Sequence, residues 1–280
     1  MQRSISSLLL LAAAALPLAA QAPQADYAAA MHAAHGKEVP VATPAARVAP
    51  RTAVTGSDVM YGTAGGRMLH GYLARPTNAV KNGPAIIVVH EWWGLNDNIK
   101  AIADRYAGEG YTVLAVDLFG RVATTPDTAM VLYQTAMKNV PVGEQNVSQA
   151  IAYLKSQGAK RIGSIGYCFG GHWSLRTGLV GGNDIKAVVM YYGAPITERV
   201  QLARLKAPVL GLFGGLDTGI PADSVRAMER NMKSAGRNVS IKFYADANHA
   251  FANPSGQAYN EAAAKDAWQK SLAFFRTNLR

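Results

Sequence analysis

Ile165-Gly166-Tyr167-Cys168-Phe169-Gly170-Gly171 places the only cysteine of the chain at the centre of a G-x-C-x-G turn. Residues 160–165 before it read as a short strand, and those from Phe169 to about Leu179 read as a helix. A nucleophile on a sharp strand-to-helix turn needs a strained backbone. The residues two positions away on either side must then be small, which glycine satisfies. The helix that follows directs backbone N–H groups and its positive dipole end at the sulfur, favouring a thiolate or an oxyanion there. A lone cysteine is often just a small buried hydrophobe; the two flanking glycines favour the nucleophile.

Outward from this turn, strands and helices alternate. Met60–Ala64 and Met68–Ala74 flank Gly65-Gly66 as a predicted hairpin. Ala85–Val89 is apolar without alternation, as expected of a strand buried on both faces. Helical spacing runs over Asp97–Gly108, Asp127–Lys138, Glu144–Gln157, Pro221–Ser234 and about Gln257–Asn278. Further strands are expected over Tyr111–Asp117, Ile185–Tyr192, Pro208–Phe213 and Ser240–Tyr244. This order predicts an α/β fold with a mostly parallel central sheet covered by helices on both faces. The turn around Cys168 is then the nucleophile elbow of an α/β-hydrolase fold, with sulfur in place of the usual serine oxygen.

Such sheets carry function at the carboxyl ends of their strands. Reading those ends in order gives His90-Glu91, Asp117, Cys168, Asp217 and His249. The order nucleophile, acid, histidine (Cys168, Asp217, His249) is the one this fold uses. His249 is expected to pair with the sulfur, and Asp217 to accept its other ring N–H and fix the tautomer. Asp223, in the first turn of a helix, and Asp246, three residues before His249, are the alternatives for the acid. Of the other histidines, His32 and His35 fall in an N-terminal arm, His70 in an early strand and His172 one turn after Cys168.

Five segments together closely resemble the dienelactone hydrolase family: His90-Glu91-Trp92-Trp93-Gly94-Leu95-Asn96, Asp117-Leu118-Phe119-Gly120-Arg121, the Cys168 elbow, Gly214–Asp217 and His249-Ala250-Phe251. The resemblance spans about 57–280. It implies a Cys168–Asp217–His249 triad and a role for Glu91 in deprotonating the resting thiol once substrate binds. It implies an oxyanion hole from the backbone N–H groups of Trp92 and Phe169, and a substrate carboxylate held by Arg121. The family pattern has a second arginine where this chain has Asn253, and a serine where it has Ala250. The second half of the carboxylate clamp is therefore missing or supplied elsewhere. H-E-W-W-G is not H-E-x-x-H, so a zinc-protease reading fails. No metal or organic cofactor is implied.

The chain has 280 residues, 49% of them hydrophobic, and a net charge of +10. Arg3 followed by the apolar run Ile5–Ala20 reads as a signal peptide over 1–20, and its removal takes away Arg3 alone, leaving +9. Ser6, Ser7 and Pro17 interrupt that run, so no stable membrane insertion is expected after cleavage, and the mature protein is expected to be periplasmic or secreted. Residues 21–56, rich in Ala and Pro, are expected to form a linker or loosely draped arm before a catalytic domain over 57–280. The basic residues are scattered without interleaved aromatics, so nucleic acid is not expected as a partner. The expected partner is a small-molecule ester or lactone, anionic ones included; the sequence leaves oligomeric state open. The reading is a hydrolase acting through a thioester acyl-enzyme. Its rivals are a broad carboxylesterase or thioesterase on the same fold, and a non-catalytic secreted binding or thiol redox protein.

Overall fold

The computed structural model describes residues 41–279 together with His32 and His35. The expected signal peptide, 1–20, lies outside the described residues. Eight strands form one sheet: β1 (Val54–Ala64), β2 (Arg67–Pro76), β3 (Ala85–Val89), β4 (Thr112–Val116), β5 (Ile162–Tyr167), β6 (Ile185–Tyr191), β7 (Val209–Gly214) and β8 (Val239–Tyr244). Their order is β1-β2-β4-β3-β5-β6-β7-β8. The β1–β2 and β2–β4 pairs are antiparallel and the rest parallel. The helices are α1 (Asp97–Gly108), α2 (Pro126–Lys138), α3 (Val140–Ser156), α4 (Phe169–Gly181), the single turn α5 (Arg199–Leu202), α6 (Ala222–Ser234) and α7 (Glu261–Asn278). This is the α/β-hydrolase fold.

β3 and β5 are buried at every position, because helices cover both faces of the sheet. Two apolar clusters result. One packs Trp92, Phe169, Trp173 and α3 against one face; the other packs Tyr106, Tyr191 and Phe275 of α7 against the opposite face. α4 is buried along most of its length, and its buried hydroxyls are satisfied by backbone carbonyls, Ser174 by Gly171 O and Val189 O and Thr177 by Trp173 O.

Three differences from the sequence reading have local causes. α3 begins at Val140, four residues before the expected Glu144, because Pro141 in its first turn has the φ a helix start requires and no N–H to leave unpaired. α5 was not expected, since one turn is too short to show a period. β1 starts at Val54, so the last residues assigned to the arm pair with β2 instead, Val54 opposite Pro76. Ala42 and Ala46 of the same arm are buried.

Candidate active site

The elbow forms where β5 meets α4. Cys168 has φ 54° and ψ −117°, the left-handed side of the map that a non-glycine residue rarely visits. Three backbone contacts hold it there: Cys168 N–H donates to Tyr191 O at 3.1 Å, and Cys168 O accepts from Gly171 N–H at 2.8 Å and from His172 N–H at 3.4 Å. A Cβ on Gly166 would stand 1.9 Å from Gly170 O, and one on Gly170 would stand 2.2 Å from Val89 O. Neither position can carry a side chain without moving backbone. Phe169 is the first residue of α4, so its N–H has no acceptor within the helix and faces the same end as the sulfur.

Parallel pairing of β7 with β8, from Val209↔Val239 to Gly214↔Tyr244, sends their following loops out side by side. Gly215 N–H donates to Tyr244 O at 2.7 Å and Leu216 N–H to Ala247 O at 2.9 Å, tying the two loops together. Asp217 and His249 meet as a result, with His249 Nδ1 2.7 Å from Asp217 Oδ2. The other carboxylate oxygen accepts from Gly219 N–H and Ile220 N–H, each at 2.9 Å, so the carboxylate cannot rotate away. Of the three candidate acids, Asp217 is the one on the ring: Asp246 is exposed, and Asp223 lies in the first turn of α6. With Nδ1–H facing the carboxylate, Nε2 is the nitrogen left to act. It is buried and has no hydrogen-bond partner among the described residues. Sγ of Cys168, a ring nitrogen of His249 and a ring nitrogen of His35 all lie within 4.8 Å of one another.

Glu91 follows β3 and is buried. Its neighbours in sequence, His90 and the two tryptophans, offer it little polar company. Company comes from distant parts of the chain: Asn253 Nδ2 donates to Glu91 Oε2 at 2.8 Å and the Tyr192 hydroxyl to Oε1 at 3.4 Å. Asn253 thus holds Glu91 with a neutral amide. Burial first, and the Glu91 carboxylate second, push the Tyr192 hydroxyl well above the ordinary tyrosine range, so it stays a donor. Glu91, Tyr192 and Asn253 line a cavity of about 710 Å³ that runs out to Trp268.

His90 fixes the Glu91 loop. Its Nε2 accepts from Leu118 N–H at 3.1 Å, so Nδ1 carries the proton and donates to the Glu91 carbonyl. Burial holds its pKa below the usual value, in keeping with a neutral ring in this role. Asp117 is a turn former, accepting from Phe119 N–H and Gly120 N–H. Trp92 is buried beside Trp93, with ring centroids 4.9 Å apart. Arg121 is exposed and does not line the Glu91 cavity. It lines a separate cleft with Arg67, Phe119 and Trp173, beyond the Phe119–Phe169 ring contact at 4.9 Å.

His172 packs rather than acts. Nδ1 meets Ala194 O and Nε2 accepts from Arg176 Nε, each at 2.9 Å. Burial and the Arg176 guanidinium lower its pKa to about 4, leaving it neutral. The sequence places His35 only in the arm and gives Tyr192 no role, yet both lie at this site. Tyr192 carried one signal, its position just past a strand's carboxyl end. His35 carried none. A thiol with two imidazoles could ligate a soft divalent metal, and it is the one His/Cys/Asp/Glu group with metal-ligand spacing among the described residues.

Fold and site together define an α/β-hydrolase, with a thiol on the elbow and a histidine–aspartate pair on the adjoining loops. The profile of the dienelactone hydrolase family matches residues 69–279, and the chain belongs to that family. It is 32% identical over 223 residues to "Protein usf" of Aquifex pyrophilus, covering 76% of this chain and 95% of that one. It is 32% identical over 253 residues to "Putative carboxymethylenebutenolidase" of Saccharolobus solfataricus, covering 75% and 95%. Among solved structures, a "Putative Dienelactone Hydrolase" from Klebsiella pneumoniae superposes with a TM-score of 0.71 at 28% identity, over 80% of this chain and 99% of that one.

Proposed function

We propose that the protein hydrolyses small carboxylic esters or lactones through a Cys168–His249–Asp217 triad and a thioester intermediate. The observation that carries this reading is the buried His249 ring, fixed by Asp217 through Nδ1, with a ring nitrogen within 4.8 Å of a thiol on a strained elbow. Sγ attacks the carbonyl carbon, and the thiol proton passes to Nε2. The tetrahedral oxyanion is met by the N–H groups of Phe169 and Trp92, collapses, and expels the alkoxide, which takes the proton from His249. Water, deprotonated by the same imidazole, then cleaves the thioester. The resemblance gives Glu91 a part in the first transfer, from thiol to Nε2. Once substrate disturbs its contacts with Asn253 and Tyr192, its carboxylate takes the thiol proton and relays it to Nε2, so one proton leaves the sulfur and one reaches the alkoxide. The test is an acid quench during turnover of p-nitrophenyl acetate, followed by mass spectrometry. An acetyl group on the Cys168 peptide supports the reading; steady turnover with no acyl-enzyme, or acylation elsewhere, overturns it.

Arg121 lines a cleft apart from the Glu91 cavity, so it meets a substrate carboxylate only where the substrate reaches from Cys168 past the Phe119–Phe169 pair. A charged hydrogen bond is worth about 1.5–3 kcal/mol, so Arg121→Ala is expected to lower kcat/KM for carboxylate-bearing lactones by roughly ten- to a hundredfold. Neutral aryl esters offer the guanidinium nothing and are expected to be much less affected. An equal fall on both substrate types would remove Arg121 from recognition. The neutral amide of Asn253, where the resemblance has the second arginine of a substrate-carboxylate clamp, favours a second reading as a broad esterase of neutral substrates, which the same ratio separates.

The Arg3-led apolar segment supports export from the cytoplasm. Intact-mass measurement on protein from a secretion-competent host is expected to give a chain beginning near Gln21. A full-length cytoplasmic product would contradict this.

A further inference from the structure

His35 lies more than a hundred residues before Cys168 in a stretch whose composition suggested only a linker. It is nonetheless 4% exposed. Its ring packs against Trp92 with centroids 4.9 Å apart and meets the His249 ring nearly edge-on at 5.6 Å. One of its nitrogens is within 4.8 Å of Cys168 Sγ. The arm is held on both sides of this residue. His32 Nε2 is 3.0 Å from Asp127 Oδ1, an exposed pair and so a weak tie. The firmer tie is at Thr43, whose N–H donates to Ser255 Oγ at 3.0 Å and whose hydroxyl reaches Pro254 O at 3.3 Å. That tie runs on to the catalytic side of the molecule: Ser255 N–H donates to Asn253 Oδ1 at 2.9 Å, and Asn253 holds Glu91.

We propose that His35 is a specificity-determining residue of the active site, a wall contributed by the N-terminal arm that admits small groups to Cys168 and turns bulky ones away. The proposal deepens the ester-hydrolase reading and rests on it for substrate selectivity. Attack requires the carbonyl carbon about 3–3.5 Å from the sulfur. A buried imidazole within 4.8 Å of the same atom occupies space that a larger acyl chain or alcohol would need on that side. Trp92 backs the ring, so it cannot retreat without moving the Glu91 loop or lifting the arm, and the arm is tied at Thr43.

The experiment compares the full chain with its His35→Ala variant, using two readouts. Because Cys168 is the only cysteine, thiol labelling reports on it alone. The ratio of labelling rates for a bulky probe (fluorescein maleimide) and a small one (iodoacetamide) largely cancels changes in the sulfur's intrinsic reactivity. His35→Ala is expected to raise that ratio at least tenfold. It is expected to raise the ratio of kcat/KM for p-nitrophenyl octanoate over p-nitrophenyl acetate by a similar factor. Ratios unchanged within about twofold overturn the proposal. So does an equal fall in activity on both esters, which would make His35 part of the chemistry instead, or easier labelling with no change in ester selectivity. If no ester is hydrolysed at all, the hydrolase reading fails, and the labelling ratio still decides whether His35 stands over the thiol. Should His35→Ala not fold, His35→Phe places a larger ring there and is expected to lower both ratios; unchanged ratios again overturn the proposal.

Discussion

Cys168→Ala is expected to abolish ester hydrolysis, with a fall of at least about a thousandfold in kcat and no loss of the folded state. The size follows from the proposed thioester mechanism. Without the sulfur no acyl-enzyme forms, and what survives is the catalysis that the oxyanion donors and binding alone can give to water, a small remainder in enzymes of this logic. Stability is expected to change little. The side chain lost is small, and alanine meets the same φ of 54° that cysteine meets. The paired measurement is kcat on p-nitrophenyl acetate and a guanidinium melt. Activity within about tenfold of wild type, under about 1.4 kcal/mol of barrier, would remove Cys168 from the chemistry.

Gly170→Ala is expected to destabilise the protein by at least about 2 kcal/mol and to remove activity with it. Helix propensity taken alone says the reverse, since alanine is better than glycine inside a helix by about 1 kcal/mol. Tertiary contact decides the sign. The added Cβ would lie 2.2 Å from Val89 O and 2.5 Å from His90 O, both backbone atoms that no rotamer change can move. Relief requires α4 to withdraw from β3, and α4 carries Phe169, a proposed oxyanion donor, while β3 leads into Glu91. Activity is therefore expected to fall along with stability. A melt showing equal or greater stability would mean that the helix and strand are not packed at this distance.

The alternation of strands and helices was legible because each signal is local. An unbroken apolar run such as Ala85–Val89 marks a strand covered on both faces, and helical spacing over Asp97–Gly108 marks α1 with the same bounds in the structure. The elbow was legible for the same reason. A strained residue between strand and helix leaves its mark on its neighbours two positions away, and both are glycine. The order of Cys168, Asp217 and His249 followed from the fold, because each stands just past the carboxyl end of a strand.

What local patterns cannot carry is which distant groups meet. Asp217, Asp223 and Asp246 were all available to His249 until the β7–β8 register set the two loops side by side. Asn253 reaches Glu91 across 162 positions, a pairing that no local pattern marks. His35 belongs to a segment whose composition predicts a linker, and only the packed molecule puts its ring between Trp92 and His249. The sequence by itself determined the sheet, the elbow and the strand ends from which chemistry could come, because φ/ψ preference and hydrophobic periodicity act over a few residues. The tertiary structure decided the company those residues keep. Contacts between remote segments depend on register, loop path and burial, which leave no periodic trace in the chain.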